Sequence, residues 1–321
     1  MASVEEQILN ISGAKAITNT QSVQTLWSGY GEIRRYYLKG GKWPSVIVKH
    51  IKWPEQVNHP RGWNTNISHQ RKLKSYQVEK NWYQLHQQTN QNCRIPEVYQ
   101  IIESDSEILL IMEDLNASGF TIRLHPGNVT LDHARICLTW LANFHAINIG
   151  LTSDGLWPIG TYWHLDTRPD EWKEMRNTDL KKSATAIDQH LNTAKYQTLV
   201  HGDAKLANFC FNKSNGVAAV DFQYIGKGCG MKDVAYFMSS CFEDAACEHH
   251  ETELLGHYFE QLEMAWVSPI DFQLVKKEWT SLYKYAWADF YRFLDGWSPG
   301  HWKMHGYSQR LAQEVINELN Q

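Results

Sequence analysis

The chain has 321 residues, 43% hydrophobic and 21% charged, with a formal charge of −4. These figures suit one large domain or two lobes of an ordinary soluble globular protein, and they argue against a general nucleic-acid binder, whose domains tend to be basic. No apolar run is long enough to cross a bilayer, and the opening MASVEEQILN has early acids and no basic-then-apolar leader, so a leaderless cytoplasmic protein is expected. The six cysteines, at 93, 137, 210, 229, 241 and 247, form no CxxC pair and no regular framework. Buried reduced thiols are therefore expected rather than disulfides.

In chain order, TLWSGYGEIRRYYLKGGKWPSVIVKHIKWP reads as a loop, a strand, a Gly-Gly turn and a second strand. SHQRKLKSYQVEKNWYQLHQQT reads as a helix with Ser68 as N-cap, and with Tyr76, Glu79 and Tyr83 on one face. RIPEVYQIIESDSEILLIMEDL gives two strands around an Asp-Ser-Glu turn. After Leu115 the pattern turns helical, beginning with the stripe Leu131, Ala134, Leu138, Leu141 and His145. Next comes TLVHGDAKLANFCF, a turn at NKSNG and the apolar run VAAVDF, succeeded by four more helical segments. The expected division is an N-terminal lobe, 1–115, rich in strands, and a helical C-terminal lobe, 116–321.

The chemistry concentrates around residues 201–222. A hairpin built from NFCF, NKSNG and VAAVDF opens at Asn208 and closes at Asp221, with Asp203 on the loop just before it. That predicts three oxygen-bearing side chains near one point. A hard cation such as Mg²⁺ takes a few protein oxygens and completes its shell with water and phosphate. Asp203 is then left to accept a proton from an attacking hydroxyl. Phosphoryl transfer needs these parts, because it depends on positioning and charge neutralisation. The order Asp, Asn five positions later, then a metal-binding Asp followed by Phe is the protein-kinase pattern, here Asp203, Asn208 and Asp221-Phe222.

HGDAKLAN followed by VDFQ resembles the aminoglycoside phosphotransferase and choline kinase group, which has a protein-kinase-like fold. With SYQVEKNWY and IMEDL upstream, the likeness is greatest to its ecdysteroid-kinase-like branch and runs from about Leu26 to the last helices. The resemblance implies an α+β, two-lobed fold and an enzyme using ATP and Mg²⁺ to phosphorylate the hydroxyl of a small molecule. It implies Asp203 as catalytic base, Asn208 and Asp221 as metal ligands, and Lys49 on the nucleotide phosphates with Glu79 as its partner. Glu113, Asp114 and Leu115 would turn their backbone to the adenine, and Ser28, Gly29 and Gly31 would form the turn covering the phosphates. Lys205 would touch the transferred phosphate, and Asp233 would brace the catalytic loop.

Plainer readings stand beside these. Lys49 could be a solvated strand-end charge, and Glu79 could pair with Lys72 or Lys80 on its own helix. SGYG fails GxGxxG and could be only a turn; Lys205 could be an exposed loop lysine, and Asp233 an ordinary N-cap. His201 reads as a structural loop residue. RLHPGN, Arg123–Asn128, mimics the end of the catalytic motif but carries Arg123 in place of the Asp, so a loop is expected there. CEHHE contains metal-liking side chains that a helix would point in different directions.

A protein substrate is disfavoured. No activation segment or APE signature separates Asp221 from the helix holding Asp233, and no Arg lies between His201 and Asp203. The acceptor pocket is instead expected from YKYAWADFYRFLDGWSPGHWKMHGY, where Tyr285, Trp287, Phe290, Tyr291, Trp297 and Trp302 interleave with Asp289 and Asp295. Such a set suits a cationic alcohol through cation–π contacts, or a flat apolar one, and lobe packing accounts for most of it. The alternative to the kinase is a catalytically silent nucleotide- or metabolite-binding protein, suggested by the incomplete Gly loop. The acceptor and the oligomeric state stay open.

Overall fold

The computed structural model describes residues 3–26, 29–53, 66–85 and 92–321. They fall into two compact units, Met1–Ile122 with Cys210–Val220 and Arg123–Phe209 with Asp221–Gln321.

The first unit is built on an antiparallel five-stranded sheet: β1 (Ala16–Thr25), β2 (Gly31–Lys39), β3 (Ser45–Lys52), β4 (Val98–Glu103) and β5 (Glu107–Glu113), in the order β1-β2-β3-β5-β4. Helix α1 (Val4–Ser12) starts at a capping box, in which Ser3 accepts from the Glu6 N–H and the Glu6 carboxylate accepts from the Ser3 N–H. Its Ile8 joins Tyr36, Val46, Val48, Leu109 and Ile111 in one apolar cluster. Strand alternation then sets the direction of Lys49. Val46 and Val48 face that cluster, so Lys49, opposite Leu110 in the register, points to the other face of the sheet.

Helix α2 (Asn66–Leu85) buries Tyr76, Glu79 and Tyr83 together, as the sequence periodicity predicts. Ser68 is not its N-cap: the helix already runs from Asn66, and the Ser68 hydroxyl accepts from Arg71 three residues on. The expected turn NKSNG does form, joining β7 (Phe209–Phe211) to β8 (Val217–Ala219). Bridges from Phe211 to Ile122 and from Ala218 to Arg94 hold this hairpin, and Cys210 and Ala218 pack on Leu115.

The second unit is mainly helical. It contains α3 (Leu131–Asn148), α4 (Pro169–Lys173), α5 (Thr178–Asn192), α6 (Met231–Cys241), α7 (Asp244–Met264), α8 (Phe272–Trp297) and α9 (Gly306–Leu319). Arg123–Asn128 is loop, and α3 begins after the Thr130 cap. Helix α3 packs on α7, and α8 lies against α5, α6 and α9. A short antiparallel pair, β6 (Thr198–Val200) and β9 (Gly226–Gly228), delivers the chain to His201. All six cysteines are buried. Among the described residues, no helix is long and apolar enough to cross a membrane.

Candidate active site

The loop after β6 is pinned from beneath by Asp233, three residues into α6 and fully buried. Its carboxylate accepts from the backbone N–H of His201 (2.6 Å) and of Gly202 (2.9 Å), and lies 3.1 Å from His145 Nε2. Asp233 is therefore a brace rather than an N-cap, since the cap position of α6 is Gly230. His145 is held in turn by the Tyr258 hydroxyl at 2.8 Å. Gly202 must be glycine on two counts. It sits at φ 78°, and a Cβ there would come within 2.0 Å of the Tyr224 carbonyl oxygen. His201 is buried as a structural residue, with its ring 4.5 Å from that of Phe222 and its Nδ1 accepting from the Asp203 N–H.

So positioned, Asp203 has both carboxylate oxygens engaged. Oδ1 accepts from the Tyr236 hydroxyl at 3.0 Å, and Oδ2 accepts from Lys205 Nζ at 2.8 Å and Asn208 Nδ2 at 3.1 Å. Burial, reinforced by the Asp203 charge, pushes the Tyr236 phenol well above its ordinary range, so it remains a proton donor to the carboxylate. Burial works against the Lys205 charge, but the Asp203 and Asp221 carboxylates outweigh it and raise the ammonium above the usual lysine value. Lys205 therefore senses both acids.

Asn208 ends a short 3-10 turn, Leu206–Asn208. Its Nδ2 donates to the Asp203 carbonyl (2.8 Å) and carboxylate. This orientation leaves Oδ1, an acceptor, with no donor among the described residues. Asp221 comes after β8 at φ 71°, a left-handed conformation that Asp tolerates better than most residues. The buried Phe222 ring beside His201 and the Gln223 amide on Asp221 Oδ1 hold it there. An amide oxygen and a carboxylate are donor types that a hard divalent cation takes.

In the first unit, Lys49 and Glu79 are buried together, with Nζ 2.9 and 2.7 Å from the two carboxylate oxygens. The rival partners are placed elsewhere: Lys72 lies over the Tyr76 ring, and Lys80 pairs with Glu103. Gly31 is required sterically, because a Cβ would fall 2.0 Å from the His50 carbonyl oxygen. Gly29 is at φ 79°, and Ser28 lies outside the described residues. The side chains of Glu113 and Asp114 serve the unit itself. Glu113 pairs with Arg94, while Asp114 takes Arg35 at 2.7 Å and Ser45 at 2.6 Å. The carbonyls of Asp114 and Leu115 accept from Ser118 and Phe120.

The two acids expected to offer charge to an acceptor are already engaged. Asp289 is buried against Arg292 (2.9 Å) and the Trp163 indole N–H (2.8 Å). Asp295 accepts from the backbone N–H groups of Arg176 (2.7 Å) and Asn177 (2.8 Å) ahead of α5. Of the aromatics, Trp287 and Tyr285 are buried packing, whereas Phe290 and Trp297 join Trp163, Tyr236 and Phe293 in the cluster behind Asp203. Sequence reasoning misses Tyr236 and the loop lysine Lys303, whose Nζ lies 4.5 Å from the Tyr236 ring centre. No local spacing marks either one.

The model of the ecdysteroid kinase-like family matches residues 45–154 and 163–268, more than half of the chain. The chain belongs to that family. This ecdysteroid kinase-like chain has no match among curated proteins. It is similar in structure to a microcompartment-associated aminopropanol kinase, with 14% identity, 97% of this chain and 92% of that one covered, and a TM-score of 0.51. It is also similar to a thermostable mutant of the aminoglycoside phosphotransferase APH(4)-Ia in a ternary complex with ADP and hygromycin B, with 13% identity, 98% of both chains and 0.53. A third likeness is to the GDP complex of aminoglycoside 2'-phosphotransferase-IIIa, with 10% identity, 99% and 100% coverage and 0.51. The fold of this ecdysteroid kinase-like chain is thus the α+β, protein-kinase-like one implied by the sequence.

Proposed function

We propose that the protein is an ATP- and Mg²⁺-dependent kinase that transfers the γ-phosphoryl group to a hydroxyl of a small molecule. The observation that carries this reading is the setting of Asp203. Its buried carboxylate is fixed by a phenol, an ammonium and the Asn208 amide, and that amide's own oxygen has no donor among the described residues.

The Asn208 oxygen and the Asp221 carboxylate fit the metal and would hold it. Bound there, Mg²⁺ would offset charge on the nucleotide phosphates. Asp203 orients the acceptor hydroxyl and takes its proton as the oxygen attacks. Tyr236 and Lys205 keep that carboxylate in one orientation, so little reorganisation is left for the reacting state. Lys205 also supplies positive charge for the phosphoryl oxygens. Lys49, held by Glu79, does the same for the nucleotide. The backbone of Glu113, Asp114 and Leu115 serves the adenine, and the turn through Ser28, Gly29 and Gly31 covers the phosphates. Polypeptide acceptors are disfavoured by the short passage from Asp221 to α6.

The test is ADP release driven by a library of small alcohols, with Mg²⁺ present and withheld, for the wild type and Asp221→Ala. The reading expects acceptor-dependent release that needs Mg²⁺ and falls at least about 100-fold in the variant. Nucleotide binding with no release for any alcohol would select the silent binder.

A further inference from the structure

Lys303 lies on the loop between α8 and α9, and its backbone is fixed. Its N–H donates to His301 Nδ1 (3.3 Å), and its carbonyl accepts from the Ser308 hydroxyl (3.0 Å). The side chain runs inward, with Nζ 4.5 Å from the ring centre of Tyr236, 5.3 Å from that of Phe290 and 5.6 Å from that of Trp302. Among the described residues its ammonium makes no ion pair and no hydrogen bond. A buried ammonium without an oxygen partner is costly, and such a group is normally paired. Yet Lys303, 8% exposed, is no more hidden than Asp203 at 6%, which itself has to meet the acceptor. Tyr236 joins the two, since its ring faces Lys303 while its hydroxyl binds Asp203.

We propose that the Lys303 ammonium binds the acceptor, taking a hydroxyl, carbonyl or carboxylate oxygen remote from the reacting hydroxyl, and so selects oxygen-rich neutral or acidic alcohols over amino alcohols. This rests on the kinase reading above. Three facts favour it. The carboxylates that could have received a cationic acceptor, Asp289 and Asp295, are taken by Arg292 and by backbone donors. Two of the ring faces that could have caged a substrate ammonium, those of Phe290 and Trp302, already hold Lys303, as does that of Tyr236. Lys205 adds a second positive charge at Asp203.

The charges around Lys303 supply a further signature. Burial draws its pKa down to about 7; Asp203 on the loop opposes this, Lys205 adds to it, and the Cys241 and Cys247 thiols of α6 and α7 oppose it weakly. An acceptor oxygen at Nζ favours the charged form, so binding at pH 8 takes up a proton.

The experiment uses hydroxy compounds in matched sets that carry an amine, a hydroxyl or a carboxylate at one position. Each is assayed for phosphoryl transfer by the wild type, Lys303→Met and Lys303→Arg. The hydroxyl or carboxylate member is expected to be preferred. Lys303→Met should raise its KM about tenfold or more, the cost of one charge-assisted hydrogen bond, with KM for ATP and kcat within about threefold. Lys303→Arg should recover part of the loss, and calorimetry in two buffers should show proton uptake by the wild type alone. An amine preference in the wild type, or an unchanged acceptor KM in a folded Lys303→Met, overturns this proposal while leaving the kinase standing. Failure of the wild type to phosphorylate any member overturns both.

Discussion

Asp233 organises the candidate site although it touches nothing that reacts. Two backbone N–H groups and His145 converge on its buried carboxylate. Asp233→Ala would leave those donors buried without an acceptor, and chemical denaturation should show a loss of about 3 kcal/mol or more. Lys303 sets a pH-dependent cost in the opposite sense. With a folded value of about 7, its native state binds fewer protons than the unfolded chain between pH 7 and the ordinary lysine value, so its penalty is full at and below pH 7 and fades as pH rises. Lys303→Met should therefore raise Tm most near pH 7, and its advantage should shrink by about 1.4 kcal/mol per pH unit toward pH 10. A constant difference across that range would contradict the assignment. At this scale the sequence is legible where chemistry is local. Asp203, Asn208 and Asp221 stand in order around one hairpin, whereas Tyr236 reaches Asp203, and Lys303 the Tyr236 ring, only through tertiary packing, which no spacing encodes.

Among the elements, β3 and α2 show how a pattern of two and a pattern of three to four cooperate. The strand's alternation sends Lys49 away from the α1 cluster, and the helix presents Glu79 on its buried face with Tyr76 and Tyr83. Both patterns are readable in the sequence, and together they lead to the Lys49–Glu79 contact. Removing one partner breaks a buried ion pair: Lys49→Met alone should cost about 3–5 kcal/mol in denaturant unfolding. Lys49→Met combined with Glu79→Leu should regain most of that stability without regaining phosphoryl transfer, which separates the pair's structural and functional parts. Two element ends show the limits of reading locally. The Ser3–Glu6 capping box marks α1 with only a short helix behind it, while Ser68 looks like a cap but lies inside α2. A serine followed by helical periodicity does not say whether the helix has already begun.

Over the whole molecule, helices dominate residues 123–209 and 221–321, and the one large sheet among the described residues stands in the first unit. The hairpin at 210–220 groups with that first unit because Phe211 and Ala218 bridge to Ile122 and Arg94, contacts too remote in sequence for periodicity to reveal. The C-terminal aromatics mislead for a related reason. Composition shows rings and acids interleaved, but only packing shows that Asp289 and Asp295 are spent on Arg292 and on the start of α5. Ligand linkage probes the molecule at this level. At 100-fold over its Kd, Mg²⁺·ATP should stabilise the fold by about 2.7 kcal/mol, and the Mg²⁺-dependent part of the Tm rise should vanish in Asp221→Ala.

The central claim is that the Asp203 carboxylate, set by Tyr236, Lys205 and Asn208, carries the proton transfer of a phosphoryl-transfer reaction. Acceptor phosphorylation by Asp203→Asn, measured with γ-labelled ATP beside a nucleotide-binding titration, tests it most directly. Turnover should fall by about 100-fold or more with nucleotide affinity nearly unchanged. Turnover equal to that of the wild type would contradict it.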